Sequence, residues 1–155
     1  MLTMEEARQG RATDALAAVA REENIAVDEL TAMVAEGRAV ILRNNRSSRR
    51  PVGLGRGLRT KVNANLGTSS DASSLDAELE KVDAAIAAGA DAIMDLSTGG
   101  DLDVIRRAVL ERSTVPVGSV PLYQAAVRSR KEGEGMVHMT PDDMLGAIED
   151  HARDG

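Results

Sequence analysis

The sequence predicts a mixed α/β protein: an N-terminal helical segment followed by parallel βα units. Three observations predict it. From Arg59 onward, short apolar runs alternate with segments of helical period, the signature of strand–helix units around a parallel sheet. The first 36 residues carry helical periodicity and no strand pattern. The chain is 155 residues, 43% hydrophobic and 28% charged, which suits one folded domain and is too apolar for disorder. With one Tyr and no Phe or Trp, the core must be built from Ala, Val, Leu, Ile and Met.

The elements follow in order. Thr13 or Asp14 caps a helix through Arg21, with Leu16, Val19 and Ala20 on one face. A second helix starts near Val27, with Asp28 as its cap and Gly37 as its stop. Arg38 to Leu42 reads as a short strand. Asn44 to Gly57, with its Ser, Pro and Gly content, reads as loop. Lys61 to Leu66 is the first strand of the alternating part. Ser73 or Ser74 then caps a helix whose Leu75, Leu79, Val82 and Ile86 share a face. Asp91 to Leu96 is the next strand, and Asp101 caps the helix after it, with Leu102, Ile105 and Val109 inward. Val115 to Val120 is the third strand, and Pro121 opens a helix through Lys131. Glu132-Gly133-Glu134-Gly135 breaks that helix. Thr140-Pro141-Asp142-Asp143 opens a last helix that carries Met144, Leu145 and Ile148 and runs to Arg153. The expected division is a helical segment with a basic loop, residues 1–58, and three βα units, residues 59–155. A full (β/α)8 barrel needs about 250 residues. The expectation is therefore the first three units of such a barrel, truncated before a fourth strand.

Composition excludes several function classes. No Cys is present, so this chain supplies no disulfide and no thiolate for a metal or iron–sulfur cluster. With only two His residues, His138 and His151, no multi-histidine metal site is expected in this chain, and no metal ligand is assigned. No run approaches the roughly 20 apolar residues of a membrane helix, and the first residues do not read as a signal peptide. The expectation is a cytoplasmic protein without a membrane role. The net charge of −6 speaks against general nucleic-acid binding. From Arg43 to Lys61 there are seven basic residues and no acidic one. Such a segment reads either as a solvated loop or as a surface for an anionic partner.

Ligands of parallel α/β proteins bind at the carboxyl ends of the strands. Here those ends read Asn63-Ala64-Asn65-Leu66-Gly67-Thr68-Ser69-Ser70, Met94-Asp95-Leu96-Ser97-Thr98-Gly99-Gly100, and Gly118-Ser119-Val120-Pro121-Leu122-Tyr123-Gln124. Asn63, Asn65 and Asp95 either satisfy loop backbone or contact a ligand, and both readings stay open. Gly99-Gly100-Asp101 reads as a phosphate cradle or a plain tight turn. Met94 reads as core filler or ligand contact. Tyr123, the sole aromatic, can stack on a ring or offer its hydroxyl. His151 is expected on the exposed side of its helix. Neither His has a Ser, Cys or carboxylate at a telling spacing, so no nucleophile–base set is assigned.

These strand-end segments, with Arg59-Thr60-Lys61-Val62 before the first and Val115-Pro116-Val117 before the third, closely resemble the phosphomethylpyrimidine synthase (ThiC) family of thiamine biosynthesis. The N-terminal Met4-Glu5-Glu6-Ala7-Arg8-Gln9-Gly10 and Val34-Ala35-Glu36-Gly37-Arg38 are also similar to its short form. The resemblance implies a (β/α)8 barrel, a 4Fe-4S cluster, S-adenosylmethionine and zinc. It implies a radical rearrangement of aminoimidazole ribotide to hydroxymethylpyrimidine phosphate. Carried over by motif, it implies that Asn65, Met94 and Tyr123 contact the substrate. The three are spaced 29 and 29 residues apart, one per βα unit. Where the family has Pro-Ala-Asn plus Asn-His, this chain has Leu42-Arg43-Asn44-Asn45-Arg46-Ser47, which retains only Asn44. The family's cluster and zinc ligands lie beyond residue 155, so the chain alone is expected to bind no cofactor, to have no catalytic residue and to be inactive. The alternatives are a fragment of the paralogous hydroxybenzimidazole synthase, or a non-catalytic α/β module that binds a ligand or a partner. An open sheet edge further predicts a homo-oligomer or a complementing chain.

Overall fold

The computed structural model describes residues 3–44, 49–131 and 138–155. The chain divides into two compact units, Met1–Val62 and Asn63–Gly155.

The first unit contains α1 (Thr3–Arg8), α2 (Asp14–Glu23), α3 (Val27–Ala35) and the strands β1 (Ala39–Leu42) and β2 (Val52–Gly55). Thr13 caps α2 by accepting from the Leu16 N–H at 3.2 Å. α3 departs from expectation. Its cap is Ala26, without a side-chain bond, and Asp28 lies inside the first turn, where its charge complements the helix dipole. Leu16, Val19, Leu30, Met33 and Val34 form the core. β2 falls in the stretch read as loop. It pairs antiparallel with β1, from Ala39 opposite Gly55 to Leu42 opposite Val52. Val-Gly-Leu-Gly has little strand propensity of its own. Packing decides it: a Cβ on Gly53 would lie 2.5 Å from Val19 Cγ1, so only glycine lets the strand approach α2.

Part of the basic stretch is neutralised locally. Lys61 pairs with Glu23 at 2.7 Å, both side chains almost fully buried. The Arg59 N–H donates to the same carboxylate at 2.7 Å, and Arg50 pairs with Glu22 at 2.9 Å. Burial pushes the Glu23 carboxyl up, but these bonds outweigh it and hold it below the ordinary carboxylate range. Because Arg59 and Lys61 are anchored to α2, the first unit runs through Val62, past the expected division at residue 58. Arg46 lies outside the described residues.

The second unit runs β3 (Asn63–Leu66), α4 (Leu75–Ala87), β4 (Ala92–Asp95), α5 (Leu102–Arg112), β5 (Val117–Ser119), α6 (Pro121–Lys131) and α7 (Pro141–Asp154). Ser74 and Asp101 cap α4 and α5 through their side chains. Thr140 and Asp143 form a reciprocal capping box at α7. The break expected at 132–135 lies outside the described residues. The three strands form one parallel sheet in the order β3-β4-β5. The sheet is open, not a closed barrel. Leu66, Ile93 and Val115 pack with Val82 of α4 and Ile105 and Val109 of α5. α7 packs on α6 and buries Ala147, while Leu145 and Ile148 stay exposed. Among the described residues no helix is long and apolar enough to cross a membrane.

Candidate functional site

Strand alternation sorts the second unit's sheet into two faces. Ala64, Ile93 and Val117 lie in register, and so do Leu66, Asp95 and Ser119. Ile93 and Leu66 are in the helix-covered core, so these rows face the helices. The intervening row, Asn65–Met94–Gly118, faces the other way. Asn65 is exposed and Met94 half-buried, and neither belongs to the helix-covered core cluster. Asn63, two residues before Asn65 on the same face, donates from Nδ2 to Asn65 Oδ1 at 3.0 Å. Its bond occupies one acceptor position of Asn65 and leaves the Asn65 NH2 as a donor. Tyr123 is not on the sheet. It sits in the first turn of α6, its N–H bonded to the Val120 carbonyl, with 40% of its surface exposed. The structure thus places Asn65 and Met94 side by side in one row and Tyr123 in the turn that follows the neighbouring strand.

The Ser, Thr and Gly residues beyond β3 and β4 bind each other. The Leu96 N–H donates to the Leu66 carbonyl and the Thr98 N–H to the Thr68 carbonyl, both at 2.8 Å. The Thr68 N–H donates to Ser97 Oγ at 3.1 Å, and the Thr68 hydroxyl to the Gly99 carbonyl at 2.7 Å. Asp95 accepts from the Ser97 N–H at 2.9 Å. It therefore serves loop backbone. The Gly99-Gly100-Asp101 turn is packed rather than open: Gly99 lies against the Ser69 backbone, and the Asp101 carboxylate already occupies the α5 N-terminus. That geometry favours the tight turn over a phosphate cradle. The zipper holds the ends of β3 and β4, and with them Asn65 and Met94, at a fixed separation.

On the helix side the structure holds a buried polar cluster that the sequence reading missed. His151 is half-buried, not on an exposed face. Its Nδ1 lies 2.7 Å from Ser119 Oγ and its Nε2 2.9 Å from Gln124 Oε1. Gln124 Nε2 donates to Asp103 at 2.8 Å, which fixes the amide orientation. Gln124 Oε1 is then an acceptor, so His151 carries its proton on Nε2 and Nδ1 accepts from the Ser119 hydroxyl. Arg106 donates to Gln124 Oε1, Asp103 and Asp154. Arg128 reaches Asp103 and Asp150. Ser, His and an orienting amide resemble a hydrolytic set. The cavity beside them is only about 20 Å³, room for about one water and no substrate. The cluster is a structural tie between β5, α5, α6 and α7. A larger cleft of about 530 Å³ opens beside α5 and α6 and is not lined by Asn65 or Met94; of its charged groups Asp103 and Arg128 are each other's partners and Asp101 caps α5.

The cluster makes stability pH-dependent. Burial pushes His151 below its ordinary value of 6.5, and Arg106 adds to this against the opposing pull of Asp103, Asp154 and Asp95. A group depressed in the folded state stabilises fully above its unfolded pKa and loses that contribution as pH falls through the folded one. The second unit is therefore expected to lose stability as pH drops below about 6.5. Asp103 adds a later loss: burial raises it, but bonds from Arg106, Gln124 and Arg128 prevail and hold it at about 2. Tyr123, the sole aromatic, reports on this unit alone. Urea midpoints from its fluorescence at neutral and mildly acidic pH should converge in His151→Gln. An equal pH dependence in both proteins would count against His151.

A family model described as the Radical SAM ThiC family matches residues 2–155. The chain belongs to the radical SAM ThiC family. It is 49% identical, over its whole length, to a phosphomethylpyrimidine synthase of Thermodesulfovibrio yellowstonii, of which it covers 36%. It is 52% identical over 97% of its length to the 5-hydroxybenzimidazole synthase BzaB of Moorella thermoacetica, covering 35% of that protein. A Pyrococcus abyssi phosphomethylpyrimidine synthase is 48% identical across the whole chain, again covered to 36%. This ThiC-family chain thus spans about a third of the length of these relatives. It has no Cys, and no group of three potential ligands occurs among the described residues.

Proposed function

We propose that this chain forms part of a phosphomethylpyrimidine synthase and that its Asn65–Met94 row and Tyr123 contact aminoimidazole ribotide. In this reading the three βα units are the first three of a (β/α)8 barrel, and the helix-free face is the barrel's interior. The observation that supports it most is the register. Asn65 and Met94 are direct neighbours near the carboxyl ends of adjacent parallel strands, on the face the helices leave open. Strands about 4.8 Å apart put both side chains within reach of one small heterocycle. The Asn65 amide offers a donor to a ring nitrogen or exocyclic group, Met94 an apolar bed, and Tyr123 a ring or a hydroxyl.

A cluster of the kind the family uses needs thiolates, and this sequence has no Cys, so in this reading the cluster, S-adenosylmethionine and zinc belong to other parts of the enzyme. The chain's part is to bind and orient the ribotide. The 5-hydroxybenzimidazole synthase relative, at similar identity, supports a second reading in which the product differs. The open edges of β3 and β5 suit either a second copy or a complementing chain.

Titration of the isotope-labelled chain with aminoimidazole ribotide tests the site, since NMR detects even millimolar binding. The Asn65 side-chain amide and the Met94 methyl are expected to shift together. Asn65→Ala should weaken binding by about 1–3 kcal/mol, because a polar group on the ligand loses its partner. Shifts confined to other regions, or an unchanged affinity in Asn65→Ala, would sink the assignment.

A further inference from the structure

Gly118 has no backbone reason to be glycine. It lies within β5, and its φ is not among the positive values found in the chain. Glycine inside a strand weakens it and marks a place where another group approaches closely. Here that group is Met94. A Cβ on Gly118 would lie 3.0 Å from Met94 Cε and 3.1 Å from its Sδ. The thioether of Met94 thus extends across the strand onto the vacant position in β5, at the end of the Asn65–Met94–Gly118 row. In doing so it packs onto the neighbouring strand at the one position of the row that has no side chain.

We propose that Gly118 is a specificity-determining position: it sets how deep the Met94 thioether lies, and so the thickness of the ring that the open face accepts. The proposal rests on the reading of this face as the ribotide site. A Cβ at 118 makes the Met94 terminus give by a few tenths of an ångström, and a larger side chain displaces it further. Met is unbranched and flexible, and here half-buried, so its end can move without unfolding the sheet. The consequence falls on the ligand, whose ring loses the room that the lowered thioether provides. Gly118 acts through Met94 and is a positioning residue, not a catalytic one.

The test is a double-mutant cycle on the whole chain, with aminoimidazole ribotide as the probe and the Met94 ε-methyl resonance as a second readout. Gly118→Ala is expected to shift the Met94 methyl while the methyls of the first unit stay in place. It is expected to weaken ribotide binding roughly tenfold, and Gly118→Val further, if overpacking scales with side-chain volume. In a Met94→Ala background, where the thioether is gone from residue 118, Gly118→Ala is expected to change binding less than about twofold. An equal loss in both backgrounds would show that residue 118 acts without Met94, and would overturn the proposal. So would an unmoved Met94 methyl. Absence of ribotide binding by the unsubstituted chain would overturn the functional reading and the ring-thickness role, while the methyl resonance still decides whether Gly118 positions Met94.

Discussion

Arg106→Leu is expected to destabilise the second unit by about 3 kcal/mol, the lower end of the range for breaking a buried charge pair. Arg106 is 3% exposed and ties three elements together. From α5 it donates to Asp103 on its own helix, to Gln124 on α6 and to Asp154 on α7. Leucine keeps the apolar volume and the helix propensity but removes every donor. Asp154 then faces a desolvated position without its cation, and Gln124 loses a donor to an oxygen that His151 alone still satisfies. The loss stays at the lower end because Asp103 keeps Arg128 and Gln124. Arg106→Lys should recover only part of it, since one ammonium cannot reproduce the forked geometry of a guanidinium. Urea unfolding followed by Tyr123 fluorescence measures the effect, with a lower midpoint and an unchanged slope. A midpoint within about 0.3 M of the parent would mean that the cluster contributes little.

Gly99→Ala is expected to be as severe, by a different route. The added Cβ would lie 2.0 Å from the Ser69 carbonyl oxygen, 2.2 Å from its carbon and 2.7 Å from the Ser70 nitrogen. All three are backbone atoms, so no rotamer relieves the clash. The β3 and β4 loops must separate, which breaks the Thr68–Gly99, Thr98–Thr68 and Thr68–Ser97 bonds. Overpacking of this kind costs about 1–3 kcal/mol, and each buried bond lost adds about 1 kcal/mol. The distinctive outcome is functional. Residue 99 is on neither the Asn65 row nor Tyr123, yet ribotide binding should fall with stability, because the zipper holds Asn65 and Met94 in register. Gly146→Ala in α7 is the control: its Cβ meets nothing within 4 Å, and the change should be neutral or stabilising by about 0.5–1 kcal/mol. If both glycine variants unfold at the same urea concentration, the loop contact is not the constraint described.

What the sequence determined by itself are the features whose cause is local. Thr13, Ser74, Asp101 and Thr140 each cap a helix by a bond that spans only three residues, so their patterns were readable from neighbours alone. The three βα units were readable for the same reason, since each strand and helix declares its own period. Asn65, Met94 and Tyr123 were put forward by the family resemblance, not by their own local pattern, which left Met94 open as core filler or ligand contact. Tertiary structure decided everything that depends on which residues meet. Val52–Gly55 becomes a strand only because β1 lies beside it and Gly53 fits under Val19. Asp28 loses its expected role as cap because α3 begins at Val27. His151 finds Ser119 across 32 residues only because α7 folds back on α6 and brings it over β5. The glycine at 118 gains its meaning from the Met94 thioether lying across it. Local propensity carries no record of such meetings, because each is set by the packing of elements distant in the chain and by the space left between them.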